Sequence, residues 1–312
     1  MRAAGVTDLG GPVRVLDLPG PRPLRADEVL LDVRAGGVGN WDEFIRTGGW
    51  DTGARPPMAL GVEAAGLVAA IGTGVTGVAV GDRVVTHSLP LRQQGAWAEQ
   101  LIAAAADVAV LPPTVPWAAA GALPVPALTA DQALAAAGVT AGAGQTVLVH
   151  GAGGVTGGLL VQLAAHLGAT VIATAGAASA RRVTDLGAAH VLDYRAADWP
   201  AQARARAGGG ADAAVNAALA GAADALAAVR DGGGLATITG DPPAAERGIT
   251  VRDIVVAPDG ARLGVLAGLL AAGALAVRTG GPRPLEQAAA ALDLVRHGAG
   301  GAAVVLDPRP PG

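Results

Sequence analysis

The chain has 312 residues, of which 51% are hydrophobic, and its formal net charge is −4. This length allows two domains with a substantial core. The scattered charges exclude an extended basic surface for nucleic acid or membrane. The sequence also lacks the pattern of a signal peptide and of a membrane-spanning apolar run. We therefore expect a cytoplasmic protein with neither nucleic acid nor membrane as a partner.

Two absent residue types narrow the chemistry further. The chain has no Cys, which excludes disulfides, thiolate nucleophiles and cysteine-ligated zinc. All 22 residues of the Lys and Arg class are Arg, which excludes Schiff-base catalysis and the Tyr/Lys pair of short-chain dehydrogenases. A GC-rich genome also explains the missing Lys, but the chemical exclusion holds for either origin.

The pattern of predicted elements changes along the chain. Up to about residue 121, short strands alternate with glycine and proline, as at 30–35, 61–71 and 83–85. This punctuation predicts a compact, mostly antiparallel β domain. From about Pro124, longer apolar helices alternate with short strands, which predicts a parallel sheet.

The clearest unit of this second region runs from Gln145 to Thr174. It reads as a strand at 146–150, a glycine loop, a helix at 155–167 and a second strand at 170–174. This is the expected size of one βαβ unit. The remaining predicted elements are strands at 189–192, 211–216 and 235–238, a helix at 284–298, a strand at 302–306 and a frayed tail at 308–312.

The glycine loop, Gly151–Gly157, lies where a dinucleotide pyrophosphate binds in such units. Glycines allow a tight turn and a close approach of the backbone to phosphate, and the helix start favours an anion. The strict G-x-G-x-x-G pattern fails because its sixth position is Thr156. The spacing G-x-x-G-x-x-G fits through Gly151, Gly154 and Gly157. We therefore predict a nucleotide site here.

The residues after the second strand indicate which nicotinamide cofactor binds. An NAD site usually places Asp or Glu at that strand end, but here Thr174 is followed by no acid until Asp185. Ser179, Arg181 and Arg182 come first, and arginine suits a 2′-phosphate. The pattern favours NADP(H), with a solvated helix face as the alternative reading of the two arginines.

Several segments, in order, resemble the quinone oxidoreductase (zeta-crystallin-like) branch of the medium-chain dehydrogenase/reductase superfamily. The resemblance covers essentially the whole chain. Gly61–Gly66 is similar to that branch's G-x-E-x-x-G stretch, and Gly81–Val84 to its GDRV turn. The other similar segments are 35–46, 123–130, 147–151, 161–164, 167–174, 246–248, 258–260 and 284–288. Each match is short, and their shared order and spacing carry the resemblance.

The resemblance implies an α/β fold with a GroES-like β domain and a Rossmann domain, whose parallel sheet is doubly wound. The expected domain ranges are 1–121 with 264–312 for the first, and 122–263 for the second. The resemblance also implies NADP(H), no metal and a homodimer. In the zinc branch of the superfamily, a Cys stands near Gly39 and a His near Val62, and both are missing here.

The resemblance also implies roles for individual residues. Gly151, Gly154, Val155, Thr156 and Gly157 form the pyrophosphate loop. Thr174, Gly176, Ser179, Arg181 and Arg182 lie toward the 2′-phosphate, and Tyr194 lies at the adenosine end. Three further residues are placed near the nicotinamide half of the cofactor: Thr129, Asn216 and Val255.

Fewer residues are candidates for contact with the hydride acceptor than for contact with the cofactor. Asn40 and Trp41 fall in the early segment, although many relatives have Asn-Pro where this chain has Gly39-Asn40. Trp41 can stack on a flat acceptor or fill the core. His87 follows a predicted strand, in a loop that can line a cleft or stay solvated. The other histidines, His150 among them, are expected to be structural.

These features predict a zinc-independent NADPH-dependent reductase of a quinone or an α,β-unsaturated carbonyl (C=C) compound. One alternative is a pathway-specific enoyl reductase of polyketide-type biosynthesis. An alternative of another class is a non-catalytic NADPH-binding sensor or structural protein, because few catalytic side chains are present.

Overall fold

A computed structural model describes residues 1–309, so residues 310–312 of the expected frayed tail lie outside the described residues. The strands of the N-terminal part are β1 (Arg2–Val6), β2 (Arg14–Asp17), β3 (Glu28–Val38), β4 (Met58–Ala59), β5 (Glu63–Ile71), β6 (Arg83–His87), β7 (Gln100–Ala104) and β8 (Val108–Val110). Its helices are α1 (Trp41–Thr47), α2 (Trp117–Gly121) and α3 (Pro124–Ala136). In strand β3, Val29, Leu31 and Val33 are buried and the intervening Leu30 and Asp32 are more exposed, which is the alternation expected of a strand with one face in the core.

The middle of the chain alternates strands with helices, as the sequence predicts. Its elements are β9 (Thr146–His150), α4 (Val155–His166), β10 (Thr170–Thr174), α5 (Ala177–Asp185), β11 (His190–Leu192), α6 (Trp199–Arg206), β12 (Ala211–Asn216), α7 (Ala222–Ala228), β13 (Val229–Thr237) and β14 (Thr250–Asp253). The strands form a six-stranded sheet in the order β11-β10-β9-β12-β13-β14, with every pair parallel. This is the Rossmann order, in which the chain reverses direction across the sheet beside β9, and ligands bind at the carboxyl ends there.

The C-terminal part returns to the first sheet. It contains α8 (Gly260–Ala271), β15 (Thr279–Pro284), α9 (Ala288–Arg296) and β16 (Ala303–Asp307). The sheet runs β15-β16-β3-β5-β6-β8, with β7 also paired to β3, and a smaller sheet runs β2-β1-β4. Only the β15–β16 pair is parallel among the pairings of these two sheets within residues 1–309. The GroES-like β domain therefore takes its last two strands from the C-terminal segment.

The chain divides into two compact units. One comprises Met1–Val125 and the residues from Ala257 onward, and the other comprises Pro126–Val256. The sequence-based boundaries were 121/122 and 263/264. The α/β fold class, with a GroES-like unit and a Rossmann unit, is confirmed.

The predicted helix at 284–298 is wrong at its start. Residues 279–284 instead form strand β15, whose Arg283 pairs with Leu306 of β16, and a 3₁₀ turn separates this strand from α9. Pro284 can end an edge strand because that position requires no backbone N–H. Helix α9 is followed by His297 and by Gly298, whose φ of 89° is left-handed.

Candidate functional site

The glycine loop joins β9 to α4 at the centre of the parallel sheet. Gly151 has φ +87°, a left-handed conformation that favours glycine and turns the chain out of the strand. Helix α4 starts at Val155 after Gly154, and no side chain caps its first turn. The first N–H groups of a helix have no partner within the helix, so this uncapped start favours a bound anion.

Two glycines of the loop have opposite surroundings. A Cβ on Gly157 would lie 2.2 Å from the carbonyl oxygen of Gly151, so the protein's own backbone requires glycine there. A Cβ on Gly154 would meet only that same oxygen, at 3.7 Å, which is an ordinary contact. The loop is therefore tightly packed against its own backbone at Gly157, and its backbone is free of close contacts at Gly154, where the helix starts. A pyrophosphate fits this open side, where backbone can approach it without side chains between them.

Thr174, at the carboxyl end of β10, holds the first residues of the loop. Its Oγ1 accepts the N–H of Gly151 at 3.0 Å, and its carbonyl oxygen accepts the N–H of Ala152 at 3.0 Å. The same Oγ1 lies 2.7 Å from Nδ1 of His150. Thr174 is fully buried, so these contacts are shielded from water.

A second group of polar residues surrounds the start of α5. Gly176 precedes this helix, and Ser179 donates its hydroxyl to the Gly176 carbonyl at 3.2 Å. A Cβ on Gly176 would meet a guanidinium nitrogen of Arg195 at 3.1 Å and the ring of Tyr194 at 3.4 Å. The Arg195 guanidinium lies 4.8 Å from the centre of the Tyr194 ring. The structure thus brings a hydroxyl, an aromatic ring and a guanidinium together beside Gly176.

The two arginines of α5 differ in what their side chains contact. Arg182 donates to the carbonyl oxygen of Gly153 at 2.8 Å, so it contacts the glycine loop directly. The Arg181 side chain is 95% exposed and lies 3.9 Å from the Asp185 carboxylate. The 2′-phosphate role that the sequence predicts for both arginines stays a prediction, and the geometry adds Arg195 to the candidates.

The predicted nicotinamide-side residues occupy separate elements of the same unit. Asn216 ends β12, and its amide donates to Thr237 at 3.1 Å and to Thr239 at 2.9 Å. Both threonines donate to Asp241, so the Asn216 side chain is fixed in a polar network. Thr129 is buried on α3. Val255 is 74% exposed and follows β14.

The three acceptor-side candidates lie in the GroES-like unit. Asn40 is exposed and precedes α1, which begins with the half-buried Trp41. His87 is not in the predicted loop, because it ends strand β6 and is fully buried. Its Nδ1 lies 3.1 Å from the Val62 carbonyl oxygen, and because a carbonyl only accepts, Nδ1 carries the hydrogen.

Two buried carboxyl groups lie near these candidates. Asp42 accepts the N–H of Gly39 at 2.9 Å, and burial raises the pKa of Asp42 to about 7. Glu63 accepts the N–H of Val125 at 2.8 Å and pairs in register with His87 across β5 and β6. Burial, together with the charge of Asp42, raises the pKa of Glu63 well above its usual value. Burial therefore moves the titration of both carboxyl groups to higher pH.

Residues 1–309 contain neither a candidate metal site nor a candidate membrane-spanning helix. In that part of the chain, no group of three or more His, Cys, Asp or Glu side chains is arranged to hold a metal ion. None of the helices described there has the length and apolar character needed to cross a membrane.

Comparisons with known proteins agree with this architecture. Residues 25–113 match the family described as the alcohol dehydrogenase GroES-like domain, and residues 155–268 match the family described as zinc-binding dehydrogenase. A mycobacterial quinone oxidoreductase structure is 32% identical and covers 99% of this chain and 100% of its own, with a TM-score of 0.83. This chain belongs to the medium-chain dehydrogenase/reductase superfamily, in the quinone oxidoreductase branch. It does so without any Cys, despite the zinc-binding family description.

Other members of the superfamily extend the comparison. A mycobacterial protein complexed with NADPH is 33% identical, with a TM-score of 0.82 and coverage of 99% of this chain and 100% of its own. An NAD-dependent alcohol dehydrogenase is 30% identical, with a TM-score of 0.86 and the same coverage. The solved relatives therefore include proteins described with either nicotinamide cofactor.

Curated relatives match over a shorter stretch. A quinone oxidoreductase of Lama guanicoe is 38% identical over 200 residues, which are 62% of this chain and 59% of that protein. A pikromycin polyketide synthase component of Streptomyces venezuelae is 37% identical over 199 residues, which are 63% of this chain and 5% of that protein. The chain thus spans less than two thirds of the curated quinone oxidoreductase it matches.

The sequence did not single out Arg195, and it led us to expect a structural His150. Arg195 follows Tyr194 directly, so the resemblance that placed Tyr194 at the adenosine end was the available signal. His150 was expected to be structural, and it is buried as expected. Its contact with Thr174 depends on the pairing of β9 with β10, which no local pattern reports.

Proposed function

We propose that this chain binds NADPH at the glycine loop and reduces a quinone or an α,β-unsaturated carbonyl compound. The observation that carries the proposal is the contrast between Gly157, which packs on Gly151, and Gly154, which is open. Together with the uncapped start of α4, this leaves a backbone surface suited to pyrophosphate. The likeness to a mycobacterial structure complexed with NADPH supports the choice of cofactor.

The proposed holding residues divide by the part of the cofactor they meet. The backbone of Gly154, Val155, Thr156 and Gly157 holds the pyrophosphate. Gly176 lets Arg195 and Tyr194 approach the backbone beside the proposed 2′-phosphate position. The proposed ligands of that group are Ser179, Arg181, Arg182 and Arg195. Tyr194 lies at the adenosine end. Roles near the nicotinamide half stay proposals for Thr129, Asn216 and Val255.

Bound NADPH would supply the hydride, and one proton completes the reduction of the acceptor. The chain's own task is to bind the acceptor, orient it and deliver or admit that proton. We propose that Asn40 and Trp41 contact the acceptor, since an exposed amide and an indole can bond to and stack on a flat carbonyl compound. His87 is the proposed proton donor of the chain; because its Nδ1–H faces the Val62 carbonyl and the side chain is buried, only Nε2 of a protonated ring can donate, and solvent is the alternative source.

A second candidate function is that of a pathway-specific enoyl reductase. The 37% identity to a pikromycin polyketide synthase component favours it. Such an enzyme reduces the C=C bond of a thioester-bound chain and does not reduce free quinones. A third candidate, of another class, is a protein that binds NADPH without turnover.

Oxidation of NADPH followed at 340 nm separates these functions. The purified chain is mixed with NADPH and, in turn, with quinones, simple enones and an enoyl thioester. Oxidation by quinones or enones supports the first function, and oxidation by the thioester alone supports the second. Tight NADPH binding without oxidation by any acceptor supports the third, and the absence of NADPH binding contradicts all three.

Location and assembly stay predictions. The sequence predicts a cytoplasmic homodimer with a small-molecule substrate as its partner. Light scattering coupled to gel filtration measures the assembly directly, with a mass of about 60 kDa expected for a dimer of this 30.2 kDa chain.

A further inference from the structure

The Thr174 hydroxyl has two polar neighbours, the N–H of Gly151 and Nδ1 of His150. Its Oγ1 already accepts the N–H of Gly151, so the hydroxyl hydrogen is available for His150, whose Nδ1 lies 2.7 Å away. A hydroxyl can donate once and accept twice. This arrangement suits a neutral His150 that accepts on Nδ1 and carries its own hydrogen on Nε2.

Protonation of His150 disturbs this arrangement. The imidazolium carries a hydrogen on both ring nitrogens, so two hydrogens then point into the short contact with Thr174. The Thr174 hydroxyl must turn away, and in its fully buried position it loses its acceptor. An unpaired buried donor is costly. Turning the hydroxyl also turns the lone pair that accepts the Gly151 N–H, so this bond to the loop weakens.

The imidazole ring cannot relieve the strain by turning. It stacks on Trp199 of α6 with a centroid distance of 4.5 Å and an interplanar angle of 14°. On the other side, a Cβ on Gly221 would lie only 2.5 Å from Nε2, so backbone lies close to the ring edge. The ring is thus fixed from two sides.

The charges facing His150 come from two other elements. Asp224 on α7 and Asp241 after β13 both favour the charged imidazolium. Asn216 pairs with His150 in register on β12, and Thr174 faces it from β10. Burial outweighs the two carboxylates and lowers the pKa of His150 below 6.5. His150 is therefore neutral at pH 7.

We propose that His150 and Thr174 are positioning residues that hold the glycine loop in its cofactor-binding form, and that protonation of His150 releases the loop. The inference rests on the proposed NADPH site. Cofactor affinity is full while His150 is neutral and falls as the pH drops toward the lowered pKa of His150. By reciprocity, bound cofactor lowers the pKa of His150 further.

The pH profile of cofactor binding tests this role. NADPH and NADH are titrated between pH 5 and 8 into the wild-type chain and into His150→Asn. Asparagine offers an acceptor near the position of Nδ1 but does not titrate, so its profile should lack the loss that His150 causes. The 2′-phosphate of NADPH itself titrates near pH 6, so the difference between wild type and variant is the relevant quantity. His166→Asn, at an exposed histidine of α4, is the matched control.

Threonine variants give a second, independent test. Thr174→Val keeps the shape but removes the hydroxyl, and we expect about tenfold weaker NADPH binding at every pH. Thr174→Ser restores the hydroxyl and should recover most of the affinity. Thr170→Val, at the exposed start of the same strand, should bind as the wild type does. Circular dichroism confirms that each variant is folded.

Nitrogen-15 spectra of the histidines read the proton positions directly. We expect His150 as the Nε2–H tautomer at pH 7, with a pKa that falls on adding NADPH. If the wild-type chain binds NADPH, any one of three results overturns the inference. These are an Nδ1–H tautomer of His150, a pH profile of binding that is the same in His150→Asn as in the wild type, and an NADPH affinity of Thr174→Val equal to that of the wild type. A wild-type chain that binds no NADPH at pH 7.5 overturns the proposed function instead, and the tautomer measurement still decides whether the contact exists.

Discussion

A Cβ on Gly157 would lie 2.2 Å from the carbonyl oxygen of Gly151, closer than any real carbon–oxygen contact of this kind. Gly157→Ala therefore forces the loop and the first turn of α4 apart. We expect a loss of about 1–3 kcal/mol in the free energy of unfolding, the usual cost of overpacking. Urea denaturation measures it, and a variant as stable as the wild type would contradict the close packing of the loop.

Gly154→Ala should separate binding from stability. Gly154 has φ −80° and ψ 176°, which alanine adopts, and its Cβ would meet only an ordinary contact. The variant should therefore fold with nearly unchanged stability. A methyl group against bound pyrophosphate costs about 1–3 kcal/mol, so NADPH binding should weaken about 5- to 100-fold. Unchanged NADPH affinity would place the pyrophosphate elsewhere.

Arg195 should contribute to the choice between NADPH and NADH. A hydrogen bond to a charged group is worth about 1.5–3 kcal/mol, so Arg195→Ala should weaken NADPH binding about 10- to 100-fold and NADH binding little. Calorimetric titration with both cofactors measures the ratio. Arg206→Ala, on α6, is the matched control.

The same titration tests the sequence-based arginines. The double replacement Arg181→Ala with Arg182→Ala should also weaken NADPH binding more than NADH binding. Single replacements then show whether the exposed Arg181 contributes. An equal loss for both cofactors in the double variant would contradict its 2′-phosphate role, and the same outcome in Arg195→Ala would contradict that of Arg195.

Asp42 should make stability depend on pH in a definite direction. Its pKa is raised from 3.8 to about 7, so the folded chain binds this proton more tightly than the unfolded chain does. Stability from this group is therefore greatest below pH 4 and is lost as the pH rises through 7. Asp42→Asn removes the charge and should be more stable than the wild type at pH 8.

The size of the Asp42 effect has an upper limit of about 4 kcal/mol, since each pKa unit corresponds to about 1.4 kcal/mol. Urea unfolding at pH 5 and pH 8 measures it in wild type, in Asp42→Asn and in the exposed control Asp185→Asn. If the stability of Asp42→Asn relative to the wild type is the same at pH 5 and at pH 8, the pKa of Asp42 is not raised in the folded chain.

Trp97 anchors the core of the GroES-like unit. It is fully buried, and its Nε1 donates to the Gly37 carbonyl at 2.8 Å. Trp97→Phe leaves that carbonyl unpaired, which costs about 1–3 kcal/mol before any cavity is counted. Thermal unfolding compares it with Trp50→Phe, at a half-buried position. A smaller loss for Trp97 than for Trp50 would contradict this role.

The regular parts of the Rossmann unit could be predicted because their patterns are local. Strand 146–150, the helix from Val155 and strand 170–174 all appear at the expected places. The helix predicted at 284–298 was wrong only at its start, because the pairing of Arg283 with Leu306 depends on strand β16, which follows the helix. The same limit explains His87, whose burial comes from pairing of β6 with β5 and β8 rather than from its own neighbours in sequence.

The candidate site was predicted in part for a related reason. Glycine spacing revealed the loop, since a tight turn requires particular residues at particular positions. The contact of Arg195 with Gly176 arises from two strand ends that the parallel sheet places side by side. Such contacts depend on the order of strands in the sheet, and they cannot be predicted from composition or periodicity.

The most direct test of the central claim is calorimetric titration of the wild-type chain with NADPH and with NADH at pH 7.5. We predict saturable NADPH binding, with NADH weaker by about tenfold or more because it lacks the 2′-phosphate. Absence of binding, or tighter binding of NADH than of NADPH, would contradict it.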